Sequence, residues 1–510
     1  MLKYRENEGT NDGFSLNHTL PYSCIALQEM NLYHFYNPLY WNCACLTVNA
    51  QATDEKTMDE YEYEDDVEYE LEEEVETDNN NKNKSCKYDK IAKAIGSIQS
   101  HGGIVSPPYI NKANYSFEPD VEGNQIIYSL KAISGIGESN VTMIIENRDK
   151  NGLYTSFDNF MKRVGNRFTN REIIALIKSG AFDEFESDRK ALMRNYLSTR
   201  IERKTILTGQ NLPYLIKMGV IPKEFDTEVD MINFKNYTLS NRFFYCIDED
   251  TARNKKPSKW YGLSARSLEF FNNHLIMDCI EDEHYRYTEE GYTIIKDSKI
   301  KNIINKKIDN INKWLKTKEA VELYNEAKID ELWNKYCTGN ISKWEMESLS
   351  FYHGEHELHN VNNEEYMFVD FNSLSEEPVQ VGEYTFKGIV KPKYALSRIC
   401  GTVIAKNNTK HIVSILTTTG VVDVKFYSGT YSHYNKQISK LNPDGSKTVI
   451  EKSWFKRGDL ISVVGHRKDD MFIPKRYNDT LLQHTVQKIV KVSEDGRNVV
   501  FKSERESVDK

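Results

Sequence analysis

Residues Gln125 to Phe182 read QIIYSLKAISGIGESNVTMIIENRDKNGLYTSFDNFMKRVGNRFTNREIIALIKSGAF, and the fold turns on this stretch. An apolar alternation (Ile126, Tyr128, Leu130) leads into Ile133-Ser134-Gly135-Ile136-Gly137, and helical spacing resumes at Val141, Ile144 and Ile145. That order predicts a strand or short helix, a tight turn, then a helix. Glycine at both turn positions lifts the Cβ restriction, so the amides of Ile136, Gly137 and Glu138 can converge on one anion at a helix N-terminus. Two readings of the turn are open. One is a plain connection between helices; the other is a helix-hairpin-helix, which holds a phosphate and binds nucleic acid without reading its sequence.

The surroundings bear on that choice. Phe157 to Val164 has the pattern of a further helix, and residues 169–185 (TNREIIALIKSGAFDEF) predict a second helical pair. There Thr169 is the N-cap, Ile173, Ile174, Leu176 and Ile177 face inward, and Gly180 marks the break. Two hairpins in tandem make a better phosphate platform than one. Arg163, Arg167, Arg171, Lys178, Arg189, Lys190 and Arg194 flank them, each readable as a solvated face or as a DNA contact.

Upstream, residues 14–47 (FSLNHTLPYSCIALQEMNLYHFYNPLYWNCACLT) predict a helix capped at Asn17 or Thr19 with Pro21 in its first turn, and a second helix from Pro38. His18 and Tyr22 lie four apart, on one face near the positive end of the helix dipole. A tract from Asp54 to Asp78 then carries 15 acidic residues and one basic residue, Lys56. Dense like charge followed by an Asn-rich run predicts a disordered insert. The insert also governs the net charge: the chain is −9 overall, yet the remainder holds 66 basic and 61 acidic residues, a net of +5 compatible with a polyanionic partner. Ile91, Ile95 and Ile98 predict an amphipathic helix stopped by Gly102 and Gly103.

Downstream, Ile300, Ile304, Ile308, Ile311 and Leu315 predict a basic amphipathic helix that packs on a neighbour. Gln210, Leu212 and Tyr214 form a loose sliding-clamp peptide, with Pro213 where an aliphatic anchor is expected. From Val381 the period becomes two. Phe386–Val390, Gly401–Ala405, Ile412–Leu416, Val421–Phe426 and Leu460–Val464 predict five short strands, a small Greek-key barrel of the oligonucleotide-binding (OB) type. Lys391, Lys393, Arg398, Lys406 and Tyr427 supply the cations and aromatics that single-stranded DNA needs, although a barrel without a ligand fits too. No window approaches the ~20 apolar residues of a membrane span. Eight scattered cysteines suit reduced thiols rather than disulfides or zinc, so a cytoplasmic location is expected.

In this order the parts resemble the C-terminal portion of the C-family replicative polymerases, the bacterial DNA polymerase III alpha subunits. Phe14, His18, Tyr22, Pro38, Leu46 and Thr47 fall on the family's late fingers pattern. SHGGIVSPPYINKANYSF (100–117), LKAISGIGESNVTMIIENR (130–148), NREIIALIKSGAFDEFESDRKALM (170–193) and WEMESLSFYHGEHEL (344–358) match its later blocks in the same order. The resemblance implies that His18 and Tyr22 border the nucleotide site, but the family's lysine two residues before the histidine is Leu16 here. It also implies that the catalytic carboxylates, and the Mg they hold, belong to a palm domain that a separate N-terminal chain would bring. No cofactor is expected on this chain.

The expectation is therefore a multidomain α+β protein. Its mostly helical N-terminal two-thirds contains the tandem helix-hairpin-helix, and a small OB-type barrel follows. The segments expected are 1–50 (end of the fingers), 51–87 (acidic insert), 88–200 (hairpins), 201–375 (a helical basic connector), 376–480 (OB fold) and 481–510 (last strand and tail). The function implied is support of template-directed DNA synthesis through duplex and single-stranded DNA and a sliding clamp. The alternative is a non-catalytic DNA-binding accessory protein or an inactive polymerase remnant.

Overall fold

A computed structural model describes residues 12–51, 88–237, 243–246, 258–263, 269, 285–289, 291, 293–386, 388–442, 447–477, 482–493 and 495–506. The acidic insert expected at 51–87 lies outside the described residues from position 52 onward. The chain is mixed α+β and divides into two compact units, one formed by residues 1–193 with 339–510 and the other by Arg194–Thr338. This partition differs from the boundaries read from sequence, because residues 339–375 join the unit holding the hairpins and the barrel.

In the larger unit, helices Asp12–Tyr36 and Pro38–Gln51 come first. The first begins ahead of the expected cap, so Pro21 lies inside it rather than in its opening turn. The second buries Cys43, Leu46 and Ala50. Helix Tyr88–Ser100 buries Ile91, Ile95 and Ile98, as their spacing predicts, and lies against the barrel, where Lys93 pairs with Asp423 at 3.3 Å. A three-stranded sheet (Ile104–Ser106, Gln125–Ile127, Glu118–Asp120) carries the chain into the hairpin helices.

The C-terminal barrel has five strands in the order Ser397–Asn407, Ile412–Thr417, Gly420–Lys425, Met471–Pro474, Leu460–Lys468, and the last pairs back with the first. Helix Ser428–Asn435 lies between the third and fourth strands in sequence. Ile399, Val403, Val413, Val424, Trp454, Phe455, Ile461 and Phe472 fill it. One strand expectation is corrected. Phe386–Val390 straddles the bend of a separate hairpin (Gln380–Phe386 with Ile389–Tyr394), and the true fifth strand is Met471–Pro474. Val486–Val492 and Val499–Lys502 extend the sheet from Leu460–Lys468.

The smaller unit is not purely helical. It contains a four-stranded antiparallel sheet, Phe243–Cys246, Ser258–Leu263, Thr293–Lys296, Tyr285–Tyr287. The isoleucine stripe is broken at Ile308 into helices Asp297–Lys307 and Asp309–Trp314, yet Ile304, Ile308, Ile311 and Leu315 are still buried in one core.

Candidate nucleic-acid interface

The Ile133–Gly137 turn ends where helix Glu138–Asn151 begins, with Gly137 as its N-cap. Gly135 takes φ +84°, which a residue with a Cβ adopts only under strain. One expected amide is spent locally: the Ile136 N–H donates to the Ile133 carbonyl at 3.3 Å. Gly135, Gly137, Glu138 and Ser139 are exposed. A glycine cap offers no side-chain acceptor, and of the first-turn amides that of Asn140 donates to the Gly137 carbonyl at 3.0 Å. Tyr115 donates to Glu138 at 2.5 Å, and Lys131 donates to the Tyr115 hydroxyl at 2.6 Å, which steadies the turn.

The second hairpin is arranged differently from the sequence reading. Helix Phe157–Arg163 is followed by the turn Gly165–Arg167, and helix Asn170–Lys178 starts beyond Thr169. The capping box forms as expected, Thr169 exchanging bonds with Glu172. The counterpart of the Gly135 turn is thus Gly165–Phe168. Gly180, at φ +79°, closes the C-terminus of the helix instead: its N–H donates to the Ile177 carbonyl, and that of Ala181 to the Leu176 carbonyl. The two hairpin helices begin side by side, with Asn140 Nδ2 donating to Glu172 Oε1 at 2.6 Å.

Of the flanking cations, Arg167 and Arg171 are exposed beside the second turn, and Lys190 is exposed as well. The others serve the fold. Arg163 stacks on Tyr154 and donates to the carbonyls of Gly152 and Leu153. Lys178 pairs with Glu347 at 2.7 Å. Arg189 is buried between Asp183 and Glu345, at 2.6 and 2.9 Å. Burial holds the Asp183 carboxyl above its ordinary range despite the guanidinium beside it. The other Glu345 oxygen accepts from the amides of His353 and Gly354, so this cluster ties the hairpins to the segment leading into the barrel. Arg194, in the smaller unit, pairs with Glu326 and Asp330. Sequence shows charge but not burial, so only these contacts separate brace from contact residue.

Tyr427 is exposed on the barrel; on the separate hairpin, Lys391 is exposed and Lys393 lies over the Tyr477 ring at 5.5 Å. Lys475, missed in the sequence, sits between Tyr384 and Tyr477 and donates to the Tyr384 hydroxyl. The run Lys475-Arg476-Tyr477 was the available signal. Lys406 donates to Asn435, and Arg398 turns to the fold, donating to the Tyr366 carbonyl and lying over Phe501.

His18 and Tyr22 both fall on helix Asp12–Tyr36, where Tyr22 is exposed. The clamp segment is folded in. Gln210 is exposed, but Leu212 is in the core of the smaller unit, and Tyr214 packs on Tyr324 and donates to Glu331. Burial and Glu331 together push the Tyr214 phenol up. Leu212 is therefore a core residue and Tyr214 a partly buried one packed against that core, rather than parts of a free recognition peptide. Among the described residues no three His, Cys, Asp or Glu side chains are grouped to hold a metal. No helix is long and apolar enough to cross a membrane among those residues.

Known proteins resemble this chain in sequence. Residues 102–192 match the helix-hairpin-helix motif family. The chain is 38% identical over 487 residues to the probable DNA polymerase YorL of Bacillus subtilis (strain 168), and equally to the DNA-directed DNA polymerase of Bacillus phage SPbeta. Each match covers 95% of this chain and 34% of the relative, so the chain spans about a third of the length of these relatives. DNA polymerase III subunit alpha of Deinococcus radiodurans is 42% identical over 98 residues, 19% of this chain and 7% of that protein. Along nearly its whole length the chain is thus similar to about a third of a bacterial and a phage DNA polymerase, over a shorter stretch it is similar to a DNA polymerase III alpha subunit, and it carries a helix-hairpin-helix motif.

Proposed function

We propose that the chain is the C-terminal, DNA-holding part of a replicative polymerase whose palm, with its carboxylates and Mg, is supplied by a separate chain. The observation that supports this best is the pair of hairpin helices starting side by side at Asn140 and Glu172, with Gly135, Gly137, Arg167 and Arg171 exposed around them. The exposed glycine turn at the first helix start and the nearby guanidinium groups suit successive phosphates of a duplex. Lys391 and Lys393 on the separate hairpin, with Lys475 and Tyr427 on the barrel, suit single-stranded DNA, with stacking and charge combined. His18 and Tyr22 border incoming nucleotide in this reading. Clamp contact through Gln210, Leu212 and Tyr214 is not included, since two of the three are packed into the fold.

The duplex assignment is tested with Gly137→Val. Gly137 has φ −75° and ψ 147°, which valine accepts, and an added Cβ meets nothing closer than Glu172 Oε1 at 3.8 Å. The variant should fold normally and bind all duplex sequences more weakly. Arg167→Ala with Arg171→Ala should lower the slope of log affinity against log salt by up to about 2. Unchanged affinity and slope in these variants would remove the hairpins from the DNA site. For the split enzyme, co-expression with the palm-bearing chain should give metal-dependent primer extension, and its absence would end that part of the proposal.

A further inference from the structure

The barrel keeps the strand order of an OB fold, in which the ligand ordinarily lies across the outer face of the second and third strands. Here protein occupies that face. Along Ile412–Thr417 and Gly420–Lys425, Val413, Ile415, Val422 and Val424 point into the core, so Ser414, Leu416, Val421 and Asp423 point outward. Helix Tyr88–Ser100 lies on them: Leu416 and Val421 pack with Ala92 and Met346, and Lys93 reaches Asp423. The approach is so close that a Cβ at Gly96 would come within 2.6 Å of Val421. The turn between the last two strands is held as well, the Asp469 N–H donating to the Glu376 carbonyl at 2.9 Å and Arg467 to that of Leu374. A single strand reaches the usual groove only by displacing this packing.

A different surface has the chemistry that the groove lacks. In the β-hairpin ahead of the first barrel strand, Tyr384 pairs with Lys391 and Gly382 with Lys393, so the three side chains and that of Ile389 share one face. Glu383, the single carboxylate of these two strands, lies on the other face. The cationic face meets the chain leaving the strand Met471–Pro474. Tyr384 packs edge-on to the buried Tyr477 at 5.3 Å, and Lys475 donates to the Tyr384 hydroxyl at 3.1 Å. The Tyr394 N–H donates to the Tyr477 hydroxyl at 3.0 Å, which pins the base of the hairpin. Tyr427 borders the same cluster: burial works against it, yet the Tyr384 bond and the nearby Tyr384, Tyr427 and Tyr477 phenols hold the Lys475 amine above its ordinary value. Tyr427 is 64% exposed and Ile389 61%. Cations without a facing carboxylate select a polyanion, and open aromatic and apolar side chains select bases that are not already stacked in a duplex.

We propose that single-stranded DNA is seated across this β-hairpin face and Tyr427, outside the usual groove, which helix Tyr88–Ser100 keeps closed. This rests on the single-strand reading given above and fixes the path of the strand. Bases stack on Tyr427 and lie against Ile389, and phosphates follow Lys391, Lys393 and Lys475.

The test measures binding of a fluorescent oligothymidine to the full chain, with a duplex titrated in parallel. Tyr427→Ala with Lys391→Ala, both at exposed positions, should weaken oligothymidine binding about tenfold or more and leave duplex binding and circular dichroism unchanged. Lys391→Ala alone should lower the slope of log affinity against log salt by about 0.7, whereas Tyr427→Ala alone should leave it as it was. Lys410→Ala with Lys425→Ala, at the open end of the usual groove, should have no effect. A loss confined to the Lys410 and Lys425 pair would overturn the proposal and return the strand to the usual groove. Oligothymidine binding indifferent to both pairs would overturn it too, with the single-strand reading intact. A wild-type chain that holds duplex but no oligothymidine would instead remove the single-strand reading, and this seat with it.

Discussion

Asn140, in the first turn of helix Glu138–Asn151, donates to Glu172, in the first turn of helix Asn170–Lys178, at 2.6 Å. Glu172 also closes the capping box with Thr169, so one carboxylate sets both the start of its own helix and its spacing from the neighbour. Asn140→Ala should cost about 1 kcal/mol, the usual net contribution of such a bond. Asn140→Asp should cost more, because it sets a second carboxylate against Glu172. Duplex affinity should fall with both, by a similar factor on every sequence. Chemical denaturation and a binding series on unrelated duplexes check this.

Gly135 and Gly180 share a left-handed backbone, φ +84° and +79°, but not their surroundings. An added Cβ at Gly135 meets open space, whereas at Gly180 it would run into the Arg189 guanidinium and Asp183. Gly135→Ala should therefore cost only the backbone strain, about 1 kcal/mol. Gly180→Ala should cost more, because it also displaces a buried ion pair. Arg189→Met should be the most damaging of the three, about 3–5 kcal/mol, since it leaves Asp183 and Glu345 buried without their cation. Urea denaturation ranks them.

His356 gives the larger unit a pH dependence. Its Nδ1 accepts from the Leu358 N–H at 3.0 Å, which places the proton on Nε2, directed at the Leu416 carbonyl at 2.9 Å. Tyr352 packs edge-on to the ring and Thr402 lies 3.2 Å from Nε2. Burial pushes the imidazole down from 6.5 to about 4, while the Leu416 carbonyl opposes the shift. Between those values the unfolded chain binds a proton that the folded one refuses. Stability is thus complete above pH 6.5 and declines as pH falls toward about 4, by about 3 kcal/mol in all. Melting temperatures measured across that window should fall for the wild type. His356→Gln should flatten that part of the profile, though it starts from lower stability.

What could be read from sequence was local. Thr169 and Glu172 are three apart and needed nothing else to be recognised as a cap, and Ile91, Ile95 and Ile98 declared a buried face by spacing alone. Gly180 shows the limit. A glycine after an apolar helix is compatible with a hairpin turn and with a C-terminal cap, and the bonds of Gly180 and Ala181 back to Ile177 and Leu176 decide for the cap. Arg189 and Arg171 look alike as letters, and burial separates a brace from a contact. Phe386–Val390 alternated like a strand but straddled a bend, whereas Met471–Pro474 was too short to stand out before its partners at Gly465–Lys468 were known.

Glu345 binds Arg189 below the hairpins and the amides of His353 and Gly354 on the way to the barrel, and the following His356 is locked onto a barrel strand at Leu416. These bonds in series tie the hairpin turns to the barrel, so in the proposed DNA-holding role the two would act as a gauge of set length rather than two hands on a cord. Lengthening the chain between Glu345 and His356 would then be expected to alter the number of nucleotides spanned.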